Sequence, residues 1–167
     1  MSQTKLRAGV IGATGMVGQR FVTLLADHPY FTISALAASA SSAGKPYEKS
    51  MEGRWKLQDP MPECVKGMIV KDASDIAGMR ELADFVFCAV DMPKEQIRAL
   101  EEAYAKAEIP VVSNNSACRG LPDVPMLVPE VNASHTEVIA SQRKRLGTQK
   151  GFIAVKPNCS IQSTFRR

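Results

Sequence analysis

Three evenly spaced glycines, Gly12, Gly15 and Gly18, sit between an apolar run and a helical repeat, and no other feature constrains the fold as tightly. Residues 6–11 are short and mostly apolar, as a buried strand is. Past the glycines, Val17, Phe21, Leu24 and Leu25 recur at helical spacing. Asp27, His28 and Pro29 then stop the helix, because proline cannot continue it and restrains the residue before it. In such a strand–turn–helix unit Gly12 permits the tight turn, Gly15 lets a ligand approach the backbone, and Gly18 lets the helix pack closely on the strand. The first N–H groups of the helix have no intrahelical partners, so the turn can receive an anion such as a pyrophosphate. A plain structural turn is the alternative reading.

The rest of the chain repeats the alternation. Residues 31–37 read as a second strand and 68–70 as a short third. Residues 38–66, rich in Ser, Gly and Pro, read mostly as loop, of a length that is uncommon without a function. Residues 84–90 are the clearest buried strand. Ile97, Leu100, Tyr104 and Ala107 mark a helix face, and residues 109–113 a strand opened by Pro110. Pro122, Pro125 and Pro129 break up the next loop, and residues 151–155 form a last strand before Pro157-Asn158-Cys159-Ser160. Strands separated by helices require crossover connections, hence a parallel sheet. The expected fold is α/β: Rossmann-like and doubly wound, a mostly parallel sheet with helices on both faces.

At 167 residues the chain is expected to form one domain over 1–167. No apolar run is long enough for a membrane span, and the first residues carry no signal-peptide pattern, so a cytoplasmic protein is expected. The net charge of +4 is partly concentrated at Arg143, Lys144, Arg145 and Lys150, which read as a solvated loop. With 6% aromatics and no broad basic stripe, no nucleic-acid partner is expected. Cys64, Cys88, Cys118 and Cys159 form no Cys-x-x-Cys pair and lie far in sequence from His28 and His135, so they read as thiols, with no metal site.

The turn residues Gly12, Thr14, Gly15, Met16, Val17 and Gly18 are the candidate cofactor contacts. A preference for NAD usually places Asp or Glu at the end of the second strand. Residues 37–45 contain neither; they offer Ser39, Ser42 and Lys45, which favours NADP, the alternative being that the serines only make turns. Cys159 follows the last strand, near the carboxyl edge where open α/β sheets bind ligands. A helix starting there would favour its thiolate. Cys88, inside an apolar strand, reads as a small buried hydrophobe.

Five segments in order resemble the aspartate-semialdehyde dehydrogenases, most nearly the fungal and archaeal branch: Gly12-Ala-Thr-Gly15-Met-Val-Gly18-Gln-Arg-Phe, the Ser-Ala-Gly-Lys ending at Lys45, Val112-Ser113-Asn114-Asn115, Asp123-Val-Pro-Met-Leu-Val-Pro-Glu130-Val-Asn132, and Pro157-Asn-Cys-Ser160. The likeness runs from about residue 5 to residue 163. It implies a homo-oligomeric NADPH-dependent enzyme of small-molecule substrates, reducing aspartyl β-phosphate to the semialdehyde on the route to lysine, methionine and threonine. Cys159 would be the nucleophile that carries a thioester, Asn158 would help hold the acyl group or its oxyanion, Asn114 would lie near the nicotinamide, and Arg119 would grip the substrate phosphate. A surface ion pair for Arg119 and an ordinary turn for Asn114 are the plainer alternatives. The family also has a second α+β domain with its catalytic histidine and further substrate contacts. Neither His28 nor His135 matches that base, so the chain is expected to be the NAD(P)-binding domain, truncated shortly after the cysteine segment and nearly inactive alone. Two other readings stay open: a domain of a malonyl-CoA-type acyl-CoA reductase, and a non-catalytic NADP-binding module in which Cys159 is ordinary.

Overall fold

A computed structural model describes residues 4–162, with side chains through residue 160. The chain divides after Asp91 into two compact units. Among the described residues no helix is long and apolar enough to cross a membrane.

In the first unit β1 (Leu6–Ile11), α1 (Met16–Leu25), β2 (Phe31–Ala38), α2 (Tyr47–Ser50), α3 (Glu63–Lys66), β3 (Lys71–Asp72), α4 (Ile76–Leu82) and β4 (Phe85–Cys88) follow one another. The strands lie in the order β3-β2-β1-β4, and each pairing is parallel. Successive residues of β1 point to opposite faces. Val10 joins Val22 and Leu25 of α1 and Leu36 of β2 in a buried cluster. Gly9 faces the other way, where an added Cβ would meet Met79 of α4 at 2.9 Å. Helices therefore cover both faces of this sheet, the doubly wound α/β arrangement expected from the alternation.

The buried face of α1 is Gly18, Gln19, Val22 and Leu25, whereas Val17 and Leu24 are exposed. Residues 38–66 are mostly loop, as expected, but the stretch also holds the four-residue helices α2 and α3, whose Tyr47 and Val65 are fully buried. Helices of four residues are too short to show a period or to stand alone; burial of an anchor residue holds them. The third strand is Lys71–Asp72, not 68–70. The backbone of 68–70 is used instead by the preceding loop: Gly44 N donates to Val70 O, Val70 N to Lys45 O, and Tyr47 N to Met68 O.

The second unit contains α5 (Lys94–Lys106), β5 (Val111–Ser113), α6 (Pro129–Asn132), a 3-10 turn (Ala133–Val138), α7 (Ile139–Leu146), β6 (Ile153–Val155) and the start of α8 (Cys159–Gln162). β5 and β6 are parallel, with Val111 opposite Ile153 and Ser113 opposite Val155. Helix α5 buries Ile97, Glu101, Tyr104 and Ala105, a face rotated from the one the apolar spacing marks. The basic cluster is not a solvated loop. Arg143, Lys144 and Arg145 form the last turn of α7, where positive charge suits the helix end. Arg145 pairs with Asp123 and, at 3.0 Å, with Glu102.

Two buried or capping side chains hold β6 in place. Gln142 of α7, with no exposed surface, accepts from Ile153 N and donates to Ile153 O and Asp123 O, both at 2.9 Å. Just past the end of α5, the Glu108 carboxylate collects the N–H groups of Gln149, Lys150 and Gly151. Both hold the strand at its entry, and at its exit Val155 O accepts from Leu127 N and Lys156 N donates to Ser113 O, just ahead of the segment that carries Cys159.

Candidate functional site

The site residues fall into one group in each unit. In the first, β1 ends at Ile11 and the chain turns through Gly12 (φ +82°), a conformation that disfavours any side chain. An added Cβ at Gly12 would lie 2.4 Å from Ala89 O, and one at Gly18 would lie 2.1 Å from Gly12 O. The fold itself thus demands glycine at both positions. Gly15 differs. It is extended (φ −76°, ψ 165°), and its added Cβ would come no closer than 3.4 Å to any atom. Nothing inside the protein excludes a side chain at Gly15, so the missing side chain leaves the backbone there open to something that approaches it.

The first turn of α1 fits that reading. Gly15 is the N-cap, no side chain caps the helix, and no acidic residue stands in its first turn. Its unpaired N–H groups and the positive helix end are open to an anion. Met16 and Val17 beside them are exposed large apolar residues. The turn is braced from behind: the buried Tyr47 hydroxyl donates to Ala13 O at 2.7 Å, and the Gln19 amide donates to Thr14 O and Arg54 O, both at 3.2 Å, while accepting from Lys56 N at 2.9 Å. Burial pushes the Tyr47 phenol well above its ordinary pKa, so the hydroxyl stays a donor.

After β2 comes a polar loop with no carboxylate through Lys45. The Ser39 and Ser41 hydroxyls are 3.0 Å apart, and Lys45 Nζ donates to Ser41 O at 3.1 Å. Ser42 is buried, with its hydroxyl facing Arg54 Nη1 at 3.5 Å. Arg54 and Gln19 are the residues the sequence reading missed in this group. A glutamine on the apolar stripe of α1 was the available signal for Gln19; nothing in the sequence places Arg54 beside Ser42.

In the second unit, β5 and β6 end side by side at Ser113 and Val155. Arg119 bridges the two ends: Nε donates to Lys156 O at 3.0 Å and Nη2 to Asn114 O at 3.2 Å. It makes no ion pair among the described residues, and its Nη1 remains free to meet a ligand. The structure bonds no described residue to the Asn114 amide group. Cys159 is exposed at the first position of α8, and its thiol donates to Asn158 Oδ1 at 3.3 Å. The same oxygen accepts from Ser160 N, and Asn158 Nδ2 makes no hydrogen bond to a described residue.

Beneath the Asn114 turn lies a feature the sequence reading did not pick out. Glu101 is 1% exposed; its Oε1 accepts from Ser113 Oγ and, at 3.2 Å, from Asn115 Nδ2. Among the described residues its Oε2 is buried with no hydrogen-bond partner within ordinary distance, and the Cys118 thiol lies beside the carboxylate. Burial, and after it the Glu101 charge, push the neighbouring Cys118 thiol up to about 12. Cys118 and Cys88 are buried, whereas Cys64 and Cys159 are exposed. His28 accepts from Tyr30 N at 3.2 Å and stacks on Phe31, and His135 sits against the Met126 backbone. Both histidines are engaged locally.

A family model for the NAD-binding domain of semialdehyde dehydrogenases matches residues 7–139. The chain is 43% identical over 157 residues to the aspartate-semialdehyde dehydrogenase of Cryptococcus neoformans, and 44% identical over 155 residues to that of Methanothermobacter thermautotrophicus. Each alignment covers 93% of this chain and 42% of the relative, so the chain spans less than half the length of these proteins. The crystal structure of Candida albicans aspartate semialdehyde dehydrogenase with NADP superposes with a TM-score of 0.82 at 37% identity, over 95% of this chain and 44% of that one. The fold is Rossmann-like, and the chain belongs to the family of semialdehyde dehydrogenase NAD-binding domains.

Proposed function

We propose that this chain is the NADP-binding, cysteine-bearing domain of an aspartate-semialdehyde dehydrogenase, occupying 1–167 of the enzyme's first half. The single observation that carries the nucleotide part is Gly15, a glycine the fold does not need, at the uncapped start of α1. Gly12, Thr14, Gly15, Met16, Val17 and Gly18 would hold the pyrophosphate. Ser39, Ser42 and Lys45 would hold the 2′-phosphate, with Arg54 as a second cation beside Ser42. The fit is chemical: hydroxyls and cations stand where an NAD site would place a repelling carboxylate.

The catalytic part rests on the exposed Cys159 at the end of β6. As thiolate it attacks the acyl carbon of aspartyl β-phosphate; a C–S bond forms and inorganic phosphate leaves. Arg119 Nη1 would steady the phosphate, Asn158 Nδ2 the acyl oxygen, and Asn114 the nicotinamide. Bound NADPH supplies the hydride that takes the thioester to the semialdehyde and returns the thiolate. Proton transfer by a positioned base contributes roughly 10²–10⁴-fold. Since His28 and His135 are held locally, the chain by itself should turn over little substrate.

The test is acyl trapping. The chain is mixed with freshly generated aspartyl β-phosphate, quenched in acid and digested, and Cys159 is read by mass spectrometry. An aspartyl adduct on Cys159 is expected. An adduct formed only from malonyl-CoA would make the chain part of an acyl-CoA reductase. No adduct from either donor, with NADP still bound, would reduce it to a nucleotide-binding module.

A further inference from the structure

A buried carboxylate is costly unless its neighbours use it. Glu101 spends one oxygen on two donors, and among the described residues the other has no hydrogen-bond partner within ordinary distance. An apolar residue would complete the α5 stripe between Ile97, Tyr104 and Ala105 at lower cost. What the carboxylate does is bind both neighbours of Asn114. The Ser113 hydroxyl donates to it and in turn accepts from Asn115 N at 3.0 Å; the Asn115 amide donates to it directly. Asn114 therefore sits in a closed ring of hydrogen bonds, its own carbonyl held by Arg119 Nη2 and its amide group unbonded by described residues.

We propose that Glu101 is a positioning residue that presents the Asn114 amide to the nicotinamide end of the cofactor. The inference rests on the reading that Asn114 meets that end. Without the carboxylate, Ser113 Oγ and Asn115 Nδ2 lose their common acceptor, and the turn can rotate the Asn114 amide out of line. One hydrogen bond to a ligand is worth about 0.5–1.5 kcal/mol, or roughly two- to tenfold in affinity.

The test compares two probes by calorimetry: NADP, and 2′,5′-ADP, which lacks the nicotinamide. Wild type should bind NADP more tightly. Glu101→Leu should weaken NADP about three- to tenfold and leave 2′,5′-ADP unchanged, a pattern that general loosening does not produce. Asn114→Ala should show the same loss, and the double variant no further loss, because both act through one contact. Glu101→Gln, which keeps an oxygen for Ser113 and Asn115, should retain most of the affinity and guards against Glu101→Leu failing to fold. Equal weakening of both probes, no weakening of either, or additive losses in the double variant would overturn the role of Glu101. If wild type binds the two probes equally, or Asn114→Ala changes nothing, the Asn114 reading falls and the inference falls with it.

Discussion

Gly15 and Gly18 make opposite demands, and replacing each with alanine separates ligand from fold. At Gly18 the new methyl would lie 2.1 Å from Gly12 O and 2.7 Å from Ala13 Cα. Both are backbone atoms of the turn, so α1 must shift by about 1 Å to restore ordinary contacts, which lie near 3.5–4.0 Å between carbons. Overpacking of this kind costs about 1–3 kcal/mol. Alanine's better helix propensity returns up to about 1 kcal/mol. The net is roughly 1–2 kcal/mol, a fall in Tm of about 2–8 °C for a chain of this size. At Gly15 the nearest atom is 3.4 Å away and the backbone is one alanine adopts freely. Loss of the glycine cap and the reduced entropy of the unfolded chain then nearly cancel. Gly15→Ala should melt within about 2 °C of wild type but bind NADPH at least tenfold more weakly, a change of about 1.4 kcal/mol. Thermal melts followed by circular dichroism, with and without NADPH, read both effects. A ligand at about 100 Kd adds about 2.7 kcal/mol, so wild type should gain several degrees and Gly15→Ala far less. Gly15→Ala melting as low as Gly18→Ala, or binding NADPH like wild type, would refute the assignment of Gly15 to a ligand.

Three further outcomes follow from the packing and charges. Tyr47→Phe leaves Ala13 O buried without its donor and should cost about 1–3 kcal/mol in a denaturant titration, with weaker NADPH binding because the glycine turn loses its brace. A thiol reagent should modify Cys64 and Cys159 in the folded chain and reach Cys88 and Cys118 only after unfolding; peptide mapping that finds Cys118 labelled early would contradict its burial. Burial works against the Glu102 carboxylate, but hydrogen bonds from Arg145 and Arg98 outweigh it and hold its pKa low. Its stabilisation is therefore present above the unfolded value near 4.3 and lost as pH falls through the lower folded value. Arg145→Ala should cost about 1 kcal/mol at pH 7 and less at pH 3, since the pairs are only partly shielded. An equal cost at both pH values would refute that origin.

The parts of the fold legible in the sequence are those where one period or one punctuating residue dominates. β1, the glycine turn and the existence of α1 follow from an apolar run, three glycines and Pro29. β2, β4, β5 and β6 were legible for the same reason, with ends off by one to two residues where strands stop at the last paired backbone group. What stayed hidden depends on tertiary contacts. α2 and α3 exist because Tyr47 and Val65 are buried, and α7 is obscured because its buried face contains Gln142. α4 carried a readable start, Asp75 accepting from Gly78 N, but about two turns of helix give little periodicity. Gln19, Glu101 and Gln142 share one property: each is a polar residue on a buried helix face that hydrogen-bonds to backbone or polar partners outside its own helix. Apolar spacing skips such residues, which is why the phases of α1 and α5 came out rotated. For the site, Cys159, Asn114 and the glycines could be named from sequence, whereas the contacts that orient them could not.

The proposed nucleotide-binding role requires that this chain take up NADP through the glycine turn and the carboxylate-free loop after β2. Calorimetric titration of the purified chain with NADP and NAD under identical salt tests that directly. Saturable one-to-one binding of NADP, at least tenfold tighter than NAD and weakened by Lys45→Ala, is predicted. Absence of NADP binding, or equal or tighter binding of NAD, would contradict it.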